Sequence, residues 1–165
     1  MAFKKVVSVC FVCLGNICRS PLAEGVFRDL VSKKGLNSQI KIDSAGTSSW
    51  HLGAPPDERM EQTAKSRGIL LSSRAKQFRP NGFDDFDLIL AMDRANMEHL
   101  QNLSKKKDCK GKLFLFRSFD PRNEGDIEVP DPYYGGDQGF NHVYQIVART
   151  CPKLLEYIMS RFLKA

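Results

Sequence analysis

The stretch VSVCFVCLGNICRSPLAEGVF, residues 7–27, changes from a continuous apolar run to apolar residues at helical spacing. Residues 6–12 are almost all apolar, which is typical of a strand buried on both faces of a sheet. Apolar side chains then recur at helical spacing from Leu22 to Val31, and Gly35 predicts the end of that helix. The stretch therefore predicts a buried strand, a loop and a helix in direct succession.

Apolar runs and helical patterns keep alternating along the chain, which indicates an α/β fold around a parallel sheet. Further strands are predicted at residues 39–43, 88–92 and 113–116. We expect one domain over residues 1–165. The predicted architecture is a three-layer sandwich, with a central four-stranded parallel sheet flanked by helices.

Three further helices are predicted between and after these strands. They cover residues 57–66, a segment capped by Asp93 and ending at Leu103, and a long segment that begins at Val143. Pro152 lies inside the last helix and predicts a kink or a break near residues 148–151, because proline lacks the backbone donor. Residues 47–56 and 120–139 are expected to be long loops, which in compact domains are often functional.

The composition is compatible with an anionic ligand but does not indicate nucleic-acid binding. The 165 residues carry a formal net charge of +6. Lysine and arginine are scattered, and the one dense run, residues 105–107, lacks interleaved aromatic residues. We expect that run to be a solvated turn, and we expect no nucleic-acid partner.

No apolar run approaches the ~18 residues that a membrane-spanning helix needs, and the first residues lack the pattern of a secretory signal. The five cysteines are an odd number, which favours reduced thiols over a disulfide framework. We therefore expect a cytoplasmic protein with no membrane association.

Three cysteines lie close together at the end of the first predicted strand, and two common explanations fit them poorly. A zinc site would need a fourth ligand, but no histidine or further cysteine lies near Cys10, Cys13 and Cys18 in sequence. On a strand, Cys10 and Cys13 would point to opposite faces, beyond the reach of a disulfide. Cys10 is therefore expected in the core.

The spacing of Cys13 and Arg19 favours a third explanation, an anion-binding loop. Amide hydrogens of a loop between a strand and a helix can converge on one point, with the helix dipole behind them. Gly15 and Asn16 tolerate a positive φ, and Ser20 followed by Pro21 is a plausible helix cap. The expected phosphate-binding residues are Leu14, Gly15, Asn16, Ile17, Cys18 and Arg19.

A cysteine at this position has the surroundings of an activated nucleophile. We expect Cys13 to be ionised as a thiolate at neutral pH, because the helix dipole and the loop amides stabilise negative charge. Arg19 would add a planar fork for two oxygens of a phosphoryl group. The loop would then carry both a nucleophile and a clamp for the transition state.

These motifs resemble the low-molecular-weight protein tyrosine phosphatases, whose signature V-C-x-G-N-I-C-R-S-P corresponds to residues 12–21. The resemblance continues through DSAGT at 43–47, PPD at 55–57, AMDRAN at 91–96 and VPDPYYGG at 129–136. It implies hydrolysis of protein phosphotyrosine and small aryl phosphates, as an acid phosphatase, through a phosphocysteine on Cys13. Asp131, between two prolines, would be the general acid and base. Inorganic phosphate would be the product, and no metal or cofactor would be required.

The same resemblance implies supporting roles around the loop. Ser20 would donate to the Cys13 thiolate, while Asn16 and Ser44 would stabilise the loop through polar contacts. Where many relatives carry a histidine in this network, the sequence has Ser72, Ser73 and Arg74. Cys18 would either form a reversible disulfide with Cys13 or pack as a small apolar residue.

Aromatic residues on the two long loops would wall the pocket and select aryl phosphates. These residues are Trp50, Tyr133 and Tyr134, although Trp50 could instead cover the edge of the core. The three histidines, His51, His99 and His142, are expected on the surface or on helices.

Two other functions remain open from the sequence. An arsenate reductase of the same fold would need further cysteines to relay a disulfide, and Cys109 and Cys151 lie outside the expected relay region. An inactive phosphotyrosine-binding module would not need Cys13, Arg19 and Asp131 together. The expected partners are phosphotyrosine-containing proteins, and the expected assembly is a monomer or a weak dimer.

Overall fold

The computed structural model describes residues 6–105 and 109–163. Strands and helices alternate through most of the chain. The strands are β1 (Val7–Cys13), β2 (Ile40–Gly46), β3 (Leu88–Ala91) and β4 (Leu113–Leu115). The α-helices are α1 (Arg19–Lys33), α2 (Glu58–Lys65), α3 (Gly82–Asp85), α4 (Arg94–Ser104) and α5 (Asp137–Ile158), with a 3-10 helix at Phe116–Phe119 and a π-helix at Met159–Leu163.

The four strands form one parallel sheet in the order β2-β1-β3-β4, which confirms the predicted fold class. The central strand β1 pairs with β2 from Val7 opposite Ile40 to Cys13 opposite Gly46. On its other side it pairs with β3, and Val12 lies opposite Ala91. The carboxyl ends of β1, β2 and β3 therefore meet at one edge, where ligands bind in open α/β sheets.

Helices cover both faces of this sheet and make it the middle of three layers. On one face Phe11 packs edge to face against Phe27 of α1 and Phe116, at centroid distances of 5.7 and 5.6 Å. The opposite face is covered by α3 and α4, and Cys10 is fully buried there. Cys10 and Cys13 belong to different faces, as predicted from their spacing on a strand.

Helix α5 differs from the prediction in its start and in its continuity. It begins at Asp137 rather than Val143, so the end of the predicted loop 120–139 is helical. The chain stays helical through Pro152, so of the two predicted outcomes the break is wrong and the kink stays a prediction. Buried apolar residues along α5, among them Val143 and Leu154, hold the helix against the sheet and outweigh the one backbone donor that proline removes.

The other boundaries shift by a few residues, and α3 and the two short helices at Phe116–Phe119 and Met159–Leu163 were not predicted. Asp93 caps α4, as predicted, by accepting a hydrogen bond from the Asn96 N–H at 2.8 Å. The prediction of a solvated turn at residues 105–107 lies mostly outside the described residues. Within residues 6–105 and 109–163, no helix combines the length and the apolar character that crossing a membrane requires.

Candidate active site

The loop between β1 and α1 is held open by bonds from its carbonyl groups to neighbouring segments. The carbonyl oxygens of Cys13, Leu14 and Ile17 accept from the backbone N–H groups of Thr47, Ser48 and Asp57, at 2.8, 3.0 and 2.8 Å. No carbonyl in the described part of the chain accepts from the N–H groups of residues 14–18. Those donors are therefore available to an anion in front of α1.

Asn16 and Gly15 allow this curvature for different reasons. Asn16 has φ of 57°, the left-handed conformation expected for it. Gly15 does not have a positive φ, and that part of the prediction is wrong. A Cβ atom at Gly15 would lie 2.9 Å from Cδ2 of His51, so a larger residue there would displace the histidine ring.

Cys13 lines the pocket above this loop, although its side chain is almost entirely buried. Its Sγ atom lies 3.0 Å from Ser20 Oγ. Asn16 Nδ2 donates to the same hydroxyl at 2.8 Å, which leaves the hydroxyl hydrogen two acceptors, the sulfur at 3.0 Å and the Ala45 carbonyl at 3.4 Å. A negative charge on Cys13 would therefore have a neighbouring donor.

Ser20 is not the helix cap that the sequence predicted. Helix α1 begins at Arg19, its N-cap is Cys18, and no side chain caps it. The first turn closes through the Leu22 N–H and the Cys18 carbonyl at 3.2 Å. The Ser20 hydroxyl, which a cap would have used for the helix, is left for Cys13 and Asn16.

A buried polar network supports the loop from behind. Asn16 Nδ2 also donates to Ser44 Oγ at 3.0 Å, and Asn16 Oδ1 accepts from the Lys76 N–H at 3.0 Å. Ser44 Oγ donates to Glu24 Oε1 at 2.5 Å, and Arg28 donates to the other Glu24 oxygen. Lys76 and Glu24 thus complete the polar network behind the loop.

Arg19 is buried beside the loop, and neighbouring groups fix its guanidinium group. Nη1 donates to Asp93 Oδ2 at 2.6 Å and to the Val129 carbonyl at 3.1 Å. Burial opposes its charge, but the Cys13 sulfur and the bond to Asp93 outweigh it and raise the pKa of Arg19. Nε has no acceptor in the described part of the chain, and Nη2 makes only a long bond of 3.4 Å to Asp131 with one of its two hydrogens. This side of the guanidinium group can therefore bind two phosphoryl oxygens.

Asp131 lines the same pocket as Cys13 and reaches it from the loop after β4. Its Oδ2 atom lies 3.4 Å from Nη2 of Arg19, and its Oδ1 atom accepts from the Tyr133 N–H at 3.1 Å. The side chain is 37% exposed, so the carboxyl group can exchange a proton with solvent. The structure therefore brings together the predicted nucleophile, clamp and acid.

Aromatic side chains form the mouth of the pocket. Trp50, Tyr133 and Tyr134 all line it, and the two tyrosine rings meet edge to face at 4.9 Å. Trp50 is 73% exposed, which excludes the alternative that it covers the core edge. His51, on the first of the two long loops, also lines the pocket, with its ring 6.0 Å from that of Tyr133.

Cys18 also lines the pocket, and it differs chemically from Cys13. Burial raises the pKa of Cys18, and the Asp57 carboxylate raises it further, so this thiol stays protonated. Burial likewise raises the pKa values of Cys10 and Cys151, which lie away from the pocket. Within the described ranges, His, Cys, Asp and Glu side chains do not gather in groups of three or more that could hold a metal ion.

Asp93 and Glu24 are site residues that sequence reasoning did not recognise as part of the site. Asp93 was recognised only as a helix cap, and Glu24 was indistinguishable from a surface acid paired with Arg28 one turn later. The AMDRAN block contained Asp93, but nothing in the sequence indicated that it would bind Arg19.

Comparison with known proteins shows similarity over nearly the whole chain. The family model described as low molecular weight phosphotyrosine protein phosphatase matches residues 8–162. Proteins named low molecular weight phosphotyrosine protein phosphatase from Gallus gallus and Homo sapiens are 45% and 46% identical over 157 residues, covering 94% of this chain and 98% of each relative. The crystal structure of a protein tyrosine phosphatase from Entamoeba histolytica is 38% identical, with a TM-score of 0.89, and covers 93% of this chain and 97% of its own.

Proposed function

Because this chain belongs to the low molecular weight phosphotyrosine protein phosphatase family, and is thus a hydrolase of phosphate monoesters, we propose that Cys13, Arg19 and Asp131 carry out its reaction. The proposed substrates are phosphotyrosine side chains of proteins and small aryl phosphates. One observation carries the assignment: the three side chains line a single pocket in front of a ring of free amides.

In the first stage the Cys13 thiolate attacks phosphorus, and the bond from phosphorus to the phenolic oxygen breaks. Asp131 donates its proton to that oxygen, because a phenol of pKa ~10 leaves faster when it is protonated. Arg19 and the amides of residues 14–18 donate hydrogen bonds to the three equatorial oxygens of the phosphoryl group. These bonds stabilise the negative charge on the oxygens in the transition state. The products are a free phenol and a phosphocysteine.

In the second stage water attacks the phosphocysteine, and the bond from sulfur to phosphorus breaks. Asp131, now a carboxylate, takes a proton from the attacking water. Ser20 donates to the departing Cys13 thiolate, and inorganic phosphate leaves. The same two stages on small aryl phosphates would make the protein an acid phosphatase.

The walls of the pocket support aryl phosphates as substrates. Trp50 and Tyr134 are largely exposed, and Tyr133 lines the same pocket. An aromatic ring can stack among these side chains while its phosphate reaches Cys13. The side chain of phosphoserine is shorter and has no ring, so it would make no stacking contact with these aromatic residues.

The proposal also covers the extent of the domain, its assembly and its location in the cell. We place the catalytic domain at residues 1–165, acting as a monomer or weak dimer on phosphotyrosine-containing proteins in the cytoplasm. The odd number of cysteines and their free thiols support a reducing compartment. Pairing of Cys18 with Cys13 under oxidation stays a prediction.

The arrangement of the other cysteines makes an arsenate reductase less favourable. Cys13 and Cys18 line the pocket, whereas Cys151 is buried on α5 and Cys109 packs in the cluster on the opposite face of the sheet. A disulfide relay would have no next cysteine to reach without large movements.

The proposed function is tested by hydrolysis of p-nitrophenyl phosphate and of a phosphotyrosine peptide. We expect turnover that survives EDTA and is blocked by vanadate. Cys13→Ser should abolish turnover but retain vanadate binding, and Asp131→Ala should slow cleavage of phosphotyrosine by ~10²-fold. Full activity in Cys13→Ser, or thioredoxin-dependent arsenate turnover without aryl phosphate hydrolysis, would overturn the proposal.

A further inference from the structure

The segment that carries Asp131 is tied to the rest of the protein at both of its ends. We call residues 129–136 the acid loop. At its start, Val129 donates its N–H to the Met92 carbonyl at 2.8 Å and accepts from Arg19 at 3.1 Å. Within the loop, the Gly135 N–H closes a turn onto the Pro132 carbonyl at 2.9 Å. The far end needs an anchor of its own, because this turn is local.

Arg59, in the first turn of α2, provides that far anchor. Its Nη2 atom donates to the Tyr133 carbonyl at 2.9 Å, and its Nη1 atom donates to the Gly135 carbonyl at 3.4 Å. Its guanidinium carbon lies 5.7 Å from the centre of the Tyr133 ring and 4.6 Å from that of Phe140. One side chain thus fixes two carbonyls of the acid loop and stacks on the start of α5.

Asp57 fixes the direction of Arg59 and connects it to the phosphate-binding loop. Both carboxylate oxygens of Asp57 accept from Arg59, with distances of 3.1 Å from Nε and 3.0 Å from Nη2. The Asp57 backbone N–H donates to the Ile17 carbonyl at 2.8 Å. A continuous chain of bonds therefore runs from the phosphate-binding loop through Asp57 and Arg59 to the acid loop.

The negative charge of Asp57 and the positive charge of Arg59 also compensate each other close to the anion site. Burial alone would raise the pKa of Asp57, but the bonds from the Arg59 side chain and backbone outweigh it and lower that pKa. The bond to Asp57 in turn raises the pKa of Arg59. Without Arg59, an unpaired carboxylate would remain beside Cys18 and the phosphate-binding loop.

We propose that Arg59, oriented by Asp57, is a positioning residue that holds the acid loop so that the Asp131 carboxyl group reaches the leaving oxygen above Cys13. The inference rests on the proposed role of Asp131 as general acid. Asp131 is joined to this anchor through the Tyr133 N–H that its Oδ1 atom accepts, on the same residue whose carbonyl binds Arg59. Loss of Arg59 releases the loop on one side only, since Val129 stays bound to Met92 and Arg19.

The consequence is specific to substrates that need a proton. Phenol of pKa ~10 leaves slowly without protonation, whereas 2,4-dinitrophenol is acidic enough to leave as the anion. A displaced Asp131 should therefore slow phenyl phosphate and leave 2,4-dinitrophenyl phosphate nearly unchanged. A merely structural defect would slow both substrates equally.

The test compares kcat/KM, which reports steps up to release of the phenol, for these two substrates in Arg59→Met and in wild type. We expect a loss of ~10-fold for phenyl phosphate and less than ~2-fold for 2,4-dinitrophenyl phosphate. Arg67→Met is the matched control, because Arg67 follows the same helix and stacks on Tyr144 at 4.4 Å. That variant should leave the ratio of the two values unchanged.

Two further variants separate failure of this inference from failure of the proposed function. Asp131→Ala should show the same selectivity as Arg59→Met with a larger loss, and the double variant should lose no more than Asp131→Ala alone. Equal loss for both substrates in Asp131→Ala would overturn the proposed acid. Selectivity in Asp131→Ala but not in Arg59→Met, or additive losses in the double variant, would overturn the role of Arg59 only.

Arg59→Lys keeps the experiment decisive if Arg59→Met does not fold. Lysine keeps the charge beside Asp57 but cannot bind the carboxylate and two carbonyls at once. We expect a selective loss for phenyl phosphate in this variant as well. An unchanged ratio of the two kcat/KM values in a folded Arg59→Lys, checked by its thermal unfolding midpoint, would contradict the inference.

Discussion

The Sγ atom of Cys13 lies 3.0 Å from the Oγ atom of Ser20, and Asn16 occupies the acceptor side of that hydroxyl. Because Asn16 donates to this hydroxyl, the Ser20 hydrogen is left for the Cys13 sulfur at 3.0 Å or the Ala45 carbonyl at 3.4 Å. Asn16 also belongs to the loop that binds the anion. The geometry of the nucleophile therefore depends on the same network that shapes the phosphate-binding loop.

Ser20→Ala should lower kcat for p-nitrophenyl phosphate by ~10-fold with little change in KM, because a charge-assisted hydrogen bond to the thiolate is lost. Ser48→Ala is the matched control, since Ser48 donates to the Leu14 carbonyl at 3.0 Å from the exposed side of the loop. The control should change kcat by less than ~2-fold. Equal effects of the two substitutions would refute a special role for Ser20.

Asp93→Asn should reduce kcat/KM by ~10-fold, because Arg19 loses the charged partner that fixes its orientation in the transition state. Asparagine still accepts from the Asn96 N–H and keeps the cap of α4, so the thermal unfolding midpoint should change little. Loss of the Asp93 charge should by itself favour binding of the anionic substrate. We expect this gain to be smaller than the loss, because a misdirected Arg19 guanidinium no longer binds two phosphoryl oxygens at once.

Glu128→Gln is the control for Asp93→Asn, because Glu128 also binds the start of α4 and is 41% exposed. It should leave kcat/KM within ~2-fold of wild type. If the two variants behaved alike, the loss would reflect charge near α4 and not the orientation of Arg19.

Gly46→Ala should disrupt the site from the neighbouring strand. A Cβ atom at Gly46 would lie 2.8 Å from the Leu14 carbonyl oxygen and 3.2 Å from Asn16 Cβ. These contacts are with the phosphate-binding loop, which must move, so we expect a loss of about 1–3 kcal/mol in the free energy of unfolding and much weaker vanadate binding. Gly136→Ala, with no atom within 4 Å of the added carbon, should leave vanadate binding unchanged.

Asp120 provides a prediction for the pH dependence of stability. Burial alone would raise the pKa of Asp120, but bonds from Arg149, Arg117 and the Arg122 N–H lower it from 3.8 to about 2. The folded state therefore binds this proton less readily than the unfolded chain. The stabilisation is complete above the unfolded pKa of 3.8 and is lost as the pH falls through about 2.

Asp120→Asn should consequently lower the free energy of unfolding by about 2 kcal/mol at pH 7, and the difference from wild type should shrink toward pH 2. Urea unfolding at several pH values measures it. Asp126→Asn is the control, since Asp126 pairs with the same Arg117 but is 66% exposed. If the difference in free energy of unfolding between wild type and Asp120→Asn did not change with pH, the role given to the Asp120 charge would be contradicted.

The β1–loop–α1 unit could be predicted because its determinants are local. The apolar run of β1, the Asn16 backbone at φ 57° and the position of Arg19 at the start of α1 all follow from adjacent residues. Ser20 was misassigned as a cap because helix α1 begins one residue before it. The N-cap is Cys18, two residues before Ser20, and a shift of two residues in a helix start is below what propensities resolve.

The partners of these residues could not be predicted, because they come from distant parts of the chain. Arg19 binds Asp93 across 74 positions and Asp131 across 112. Glu24 and Arg59 resemble ordinary surface charges in sequence, and only the packing of α1 against β2 and of α2 against α5 gives them their targets. Patterns of charge along one element do not specify which side chains tertiary structure brings into contact.

The most direct test of the central claim is to quench the enzyme with acid during turnover of a phosphotyrosine peptide and to locate any phosphoryl group by mass spectrometry. We predict a phosphoryl group on the sulfur of Cys13 in the wild-type enzyme. The Cys13→Ser variant should carry none. Turnover with no phosphoenzyme, or a phosphoryl group on a different residue, would contradict the account.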